Sequence, residues 1–173
     1  EIEPMTQTKP ASKSSTPSLK QSTSNPAGKP GRKTRRRRSR ELALQGLYQW
    51  RVAGGTVEAI EAQLRETNEF PRTDEEYLSV LLRGVLANVS ELEKEIQPHL
   101  DRPFKELSPV EVAILLLSTH ELASHPEMPY RAVINEAVEL AKTYGGTDGH
   151  KYVNGVLDKL AAKLRTVEIN AKM

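Results

Sequence analysis

The longest hydrophobic stripe in the chain has the period of an α-helix. Apolar residues recur there at i, i+3, i+4 and i+7: Leu78, Leu81, Leu82, Val85, Val89, Leu92 and Ile96. Thr73 and Glu76 precede the stripe with the spacing of a capping box, and Pro98 and Pro103 follow it. The pattern therefore predicts one long amphipathic helix between residues 74 and 97.

The next apolar segment is different, because residues 112–117 are apolar almost all round. Ser108, Pro109 and Glu111 provide an N-cap, a first-turn proline and a capping box. Such a short apolar run also fits a buried strand, but the caps and the continuation to Leu122 favour a helix. A helix without a polar face predicts a central element surrounded by other helices.

Four further helices are predicted around this centre, and no segment alternates with the period of a strand. The first follows Ser39 and ends at Gly54, and the second begins after the Thr56 cap. The last two cover residues 130–143 and a segment capped by Thr147 or Asp148. We therefore expect an all-α bundle of about six or seven helices.

Charge is distributed unevenly along the chain. Residues 1–40 hold 11 Lys and Arg and two Glu, whereas residues 41–173 hold 14 basic and 21 acidic residues. Residues 1–33 are rich in Ser, Thr, Pro, Lys and Gly, which predicts a disordered basic extension in front of a domain over 34–173. A basic arm on an acidic body suggests a polyanionic partner.

The arginine run is the strongest chemical signal. Arg35, Arg36, Arg37, Arg38 and Arg40 run into the first helix without a linker. A solvated tail or a targeting signal is the alternative interpretation. Guanidinium groups held on a folded surface can bind phosphates in a bidentate way and stack on bases, which favours single-stranded RNA over duplex RNA.

Other chemistry is weakly represented. The chain has no cysteine, and His120-Glu121 lacks a second histidine at position 124, so no metal site, cofactor or enzyme is predicted. His120 is expected to pack. No segment is apolar enough to span a membrane and no secretory signal is evident, so we expect a cytoplasmic protein. Among the aromatic residues, Tyr152 lies beside Lys151 at the edge of its helix and is a candidate contact residue.

Several segments together resemble the bacterial transcription antitermination factor NusB family. They are the arginine run with residues 40–50, Glu111 at the start of the central helix, residues 129–142 and residues 150–158. The resemblance covers about residues 34–165. It implies two packed helical subdomains and no catalysis.

The resemblance also implies partners and site residues. Family members pair with NusE, a small-subunit ribosomal protein, and bind the single-stranded boxA element of ribosomal RNA transcripts within the antitermination complex of RNA polymerase. By position, the implied RNA-binding residues are Arg35, Arg36, Arg37, Arg38, Arg40, Lys151 and Tyr152. The implied contacts with the protein partner are Tyr48, Glu111, Tyr144, Asp148 and Tyr152.

Two alternatives belong to other classes. A NusB-like domain also occurs at the N-terminus of ribosomal RNA cytosine methyltransferases, which continue into a Rossmann-like domain with a catalytic cysteine. This sequence has no cysteine and stops at Met173, which disfavours the methyltransferase. A non-specific basic-armed nucleic-acid-binding protein would show no sequence preference and no protein partner.

Overall fold

The computed structural model describes residues 31–171 and is all-helical over that range, as predicted. Its eight α-helices in this part of the chain are α1 (Arg32–Ala53), α2 (Val57–Arg65), α3 (Glu75–Ala87), α4 (Val89–Ile96), α5 (Pro109–Ser124), α6 (Tyr130–Tyr144), α7 (Gly149–Leu164) and α8 (Thr166–Ala171). None of these helices is long and apolar enough to cross a membrane.

Helix α5 lies at the centre of the molecule, which confirms the prediction from its sequence. Every residue from 112 to 122 is buried. The Ser108 hydroxyl accepts from the Glu111 N–H at 3.1 Å, and the Glu111 carboxylate accepts from the Ser108 N–H at 3.2 Å. The capping box therefore forms, and it fixes the point where α5 begins.

The remaining helices form two packed subdomains around α5. Helices α1, α2 and α3 pack against one another, and α6 and α7 pack against each other and against α5. Helices α1 and α3 also pack on α5, and α4 covers another part of it. One continuous core of buried apolar residues therefore joins the two subdomains.

The predicted long helix over 74–97 is interrupted at Asn88. Its backbone there leaves the helical conformation, so that α3 and α4 are separate helices. The hydrophobic stripe continues across the break, because both helices turn their apolar sides to the core. The N-cap of α3 is Asp74, whose carboxylate accepts from the Tyr77 N–H, whereas Thr73 donates to the Phe70 carbonyl.

Helix α1 begins earlier than the sequence predicted. It starts at Arg32 and includes the whole arginine run, so Arg32 and Lys33 are helical and do not belong to a disordered extension. The rest of the predicted extension, residues 1–30, lies outside the described residues.

Candidate nucleic-acid and partner interface

The arginines at the start of α1 are held against the body of the protein. Arg35 donates to the carbonyl of Thr73 at 2.8 Å. The guanidinium of Arg36 lies 4.4 Å from the ring centroid of Tyr77, within cation–π distance, and its Nε is 3.7 Å from Asp74. These contacts fix the two side chains at the N-terminus of α3.

Arg37 and Arg38 continue this surface on α1. Arg37 forms a bidentate ion pair with Glu136 of α6, with N–O distances of 3.1 and 2.8 Å. Arg38 is half-buried, one turn before Glu41. Burial raises the pKa of Glu41, and the guanidinium groups of Arg38 and Arg37 oppose that shift. We call the solvent side of Arg35, Arg36, Arg37 and Arg38 the arginine face.

Arg40 lies behind this face, inside the protein. Only 5% of it is exposed, and its Nε donates to both carboxylate oxygens of Glu121, at 3.2 and 2.9 Å. The Tyr77 hydroxyl accepts from Arg40 and donates to Glu121. Burial lowers the pKa of Arg40, but the charges of Glu121 and Tyr77 and the hydrogen bond to Glu121 together outweigh burial, so the pKa is raised. A guanidinium that is enclosed in this way supports the helix and does not reach a ligand.

A second cluster forms where α5 and α7 begin. A Cβ on Gly149 would lie 3.1 Å from Glu111 Oε2, so the carboxylate of Glu111 rests against the first residue of α7. Asp148, just before that helix, has a left-handed backbone with φ of 65°, and its exposed carboxylate lies 3.6 Å from the Lys151 ammonium. The fold thus brings Glu111 together with Asp148, Lys151 and Tyr152 of the sequence prediction.

Tyr152 has a neighbour that the sequence did not reveal. The guanidinium of Arg102 lies 4.7 Å from the centroid of its ring and is anchored by Asp101 at 2.9 Å. Burial raises the pKa of the half-buried Tyr152 hydroxyl. Arg102 stands in a loop fifty residues away, next to Pro103, and no spacing in the sequence relates it to α7. One face of the ring is therefore already covered.

The two remaining predicted contact residues are both half-buried. Tyr48 lies on α1 and Tyr144 ends α6. Burial raises the pKa of Tyr144 to about 12, and the carboxylates of Glu41 and Glu69 add to the shift. Tyr144 is thus within electrostatic range of Glu41 on α1. Sequence reasoning also missed Tyr77, Asp74, Glu121 and Glu136, which hold the arginines, because each is distant from them in the chain.

The fold and the site define an all-helical protein with a fixed arginine face and a mixed-charge cluster at the start of α7. Among the residues that the structure describes, no group of three His, Cys, Asp or Glu is placed to hold a metal ion. A family model described as the NusB family matches residues 37–162. The chain belongs to the NusB family.

Individual relatives agree with this assignment. The chain is 76% identical over 134 residues to the transcription antitermination protein NusB of Nitrosospira multiformis, covering 78% of this chain and 85% of the relative. It is 61% identical over 149 residues to the protein of the same name from Nitrosomonas eutropha, covering 86% and 89%.

Two solved structures share the fold. T. maritima NusB has a TM-score of 0.65 and 30% identity, with 73% of this chain and 90% of that chain covered. A crystal structure of the antitermination factors NusB and NusE in complex with double-stranded RNA contains a chain with a TM-score of 0.68 and 26% identity. The match covers 73% of this chain and 96% of that one.

Proposed function

We propose that this protein is a transcription antitermination factor that acts in the cytoplasm. It binds the single-stranded boxA element of ribosomal RNA transcripts together with NusE, and it helps RNA polymerase to read through terminators. The observation that carries the proposal is the arginine face, whose guanidinium groups are fixed on a folded surface where phosphates can reach them. Membership of the NusB family, and relatives that are named as antitermination proteins, support it.

Within this proposal, the arginine face and the mixed-charge cluster at the start of α7 have different roles. Arg35 to Arg38 bind phosphates, which gives affinity without sequence information. Arg40 acts from behind as a positioning residue, because it is buried on Glu121. Lys151 and Tyr152 also contact RNA, the latter through the part of its ring that Arg102 does not cover. The protein partner NusE contacts Tyr48, Glu111, Tyr144, Asp148 and Tyr152.

The protein acts by binding and carries out no catalysis. Its relatives are named as antitermination proteins over 85% or more of their own length, which favours this function over the methyltransferase alternative. A non-specific nucleic-acid-binding protein needs only the arginine face. The contact between Glu111 and Gly149 and the cluster around it favour a second, partner-binding surface.

Fluorescence anisotropy with a labelled boxA-type RNA tests the proposal. The controls are a scrambled RNA of equal length and a boxA duplex, each measured with and without NusE. We expect tighter binding of single-stranded boxA than of either control, and a further gain when NusE is added. Equal binding of boxA and scrambled RNA, unchanged by NusE, would instead support the non-specific alternative.

A further inference from the structure

The ion pair between Arg37 and Glu136 joins α1 to α6 across 99 residues of sequence. Arg37 Nε donates to one carboxylate oxygen of Glu136 at 3.1 Å, and Nη2 donates to the other at 2.8 Å. Parallel hydrogen bonds of this kind are also how a guanidinium binds a phosphate. A phosphate and the Glu136 carboxylate would therefore use the same N–H donors.

Exposure distinguishes this pair from the buried pair that Arg40 forms at the end of the arginine run. The side chain of Arg37 is 50% exposed and that of Glu136 is 14% exposed, whereas both partners of the pair between Arg40 and Glu121 are enclosed. A ligand can therefore approach Arg37 without opening the core. The hydrogen bond and charge of Glu136 raise the pKa of Arg37.

The partner of Arg36 is less suited to exchange. Asp74 is 3.7 Å from Arg36, and it also accepts from the Tyr77 N–H as the N-cap of α3. Moving the Asp74 carboxylate away from the Tyr77 N–H would remove the N-cap and destabilise α3. Glu136 lies inside α6, where its side chain caps nothing, so its carboxylate can leave Arg37 without unravelling a helix.

We propose that Glu136 is an intramolecular competitor of RNA phosphate for Arg37, and that it lowers the affinity of the arginine face for any RNA backbone. The inference rests on the proposed RNA-binding function. In the free protein the ion pair holds Arg37 on α6. On binding, a phosphate takes both N–H donors and the carboxylate turns to water. Tight binding then depends on contacts elsewhere, such as those of the protein partner.

The test is the Glu136→Gln variant, which keeps the size of the side chain and removes its charge. Since exposed ion pairs are weak, we expect about two- to fivefold tighter binding of RNA in fluorescence anisotropy. The gain should be equal for boxA-type and scrambled RNA, because phosphate contacts carry no sequence information. Glu139→Gln is the matched control: it removes the same charge from α6, but Glu139 pairs with Lys142.

A double-mutant cycle completes the experiment. In the Arg37→Ala background, Glu136→Gln should add nothing beyond the effect of Glu139→Gln. The proposal would be overturned if the Glu136→Gln variant bound RNA no more tightly than the Glu139→Gln variant. It would also be overturned if the gain in RNA affinity persisted in the Arg37→Ala background. If the unaltered protein showed no preference for boxA and no dependence on NusE, that result would count against the proposed function alone. Scrambled RNA would still report the competition between Glu136 and phosphate for Arg37.

Discussion

His120 shows how a single buried residue can make the stability of the fold depend on pH. It is 6% exposed, and its ring fills the space left by Gly84, where an added Cβ would lie 2.5 Å from two ring atoms. The His125 ring stands 5.2 Å away. Burial, and secondarily His125, lower the pKa of His120 from 6.5 to about 4. The folded protein therefore holds this imidazole in its neutral form.

Lowering the pH should destabilise the protein through His120. Between pH 6.5 and about 4 the unfolded chain binds a proton here that the folded chain does not, so stability rises with pH across this window. The contribution of the neutral His120 ring to the free energy of unfolding is fully present above pH 6.5, and about 3 kcal/mol of it is lost by pH 4. Urea unfolding of the unaltered protein and of His120→Leu at pH 7 and pH 4.5 measures it. Identical pH dependence in the two proteins would contradict the assignment.

At the scale of the element, α5 and α1 show which helices the sequence can predict. Helix α5 carries its own signals, a capping box and an apolar run, and it appears where expected. The arginine-rich end of α1 carries a local signal against a helix, because neighbouring like charges destabilise the helical conformation. It is helical because Thr73, Asp74 and Glu136, all distant in sequence, supply partners. Such tertiary contacts are invisible to local patterns, as is the break at Asn88 within a continuous stripe.

Two substitutions at the start of α5 can separate the capping role of Glu111 from its proposed contact with NusE. Ser108→Ala removes the cap and should cost about 1 kcal/mol of stability, with little effect on NusE binding. Glu111→Gln keeps a side chain that can complete the capping box, but it removes the charge beside Gly149. It should leave stability nearly unchanged and weaken NusE binding.

Urea unfolding and binding titrations with NusE would be measured for both variants. If Glu111→Gln lost stability like Ser108→Ala and bound NusE normally, Glu111 would be a capping residue only.

For the molecule as a whole, Arg165 connects helices α5, α6 and α8. This residue lies outside residues 37–162, which the family model matches. It is 6% exposed and donates to the carbonyls of Glu121, Leu122, His125 and Met128, at 3.3, 2.7, 2.9 and 2.8 Å. The carboxylate of Glu168 pairs with it and accepts from the Tyr130 N–H at 3.0 Å. One guanidinium thus satisfies the C-terminal end of α5 and connects it to α6 and α8.

Replacing this guanidinium should weaken the entire fold in a single step. Arg165→Met leaves several buried carbonyls without a donor, which should cost about 2–4 kcal/mol. Because α1 and α3 pack on α5, the loss of stability should extend to the subdomain that α1, α2 and α3 form. Trp50 in α1, the single tryptophan, reports that subdomain by fluorescence, and circular dichroism reports the whole chain.

The two unfolding curves of Arg165→Met should coincide and shift together. Lys163→Met is the control, because Lys163 pairs at the surface with Glu95 at 3.0 Å and should cost under about 1 kcal/mol. Separate transitions by the two probes would show that the subdomains unfold independently.

The salt dependence of RNA affinity tests whether the arginine face binds RNA phosphates. Four phosphate contacts on a single strand contribute a slope of roughly −3 in log affinity against log salt. Replacing Arg35, Arg36, Arg37 and Arg38 by alanine should remove that contribution, whereas replacing all four by lysine keeps the charges and should retain it. Circular dichroism confirms that each variant is folded. A slope that is unchanged in the alanine variant would show that these four arginines do not bind RNA phosphates.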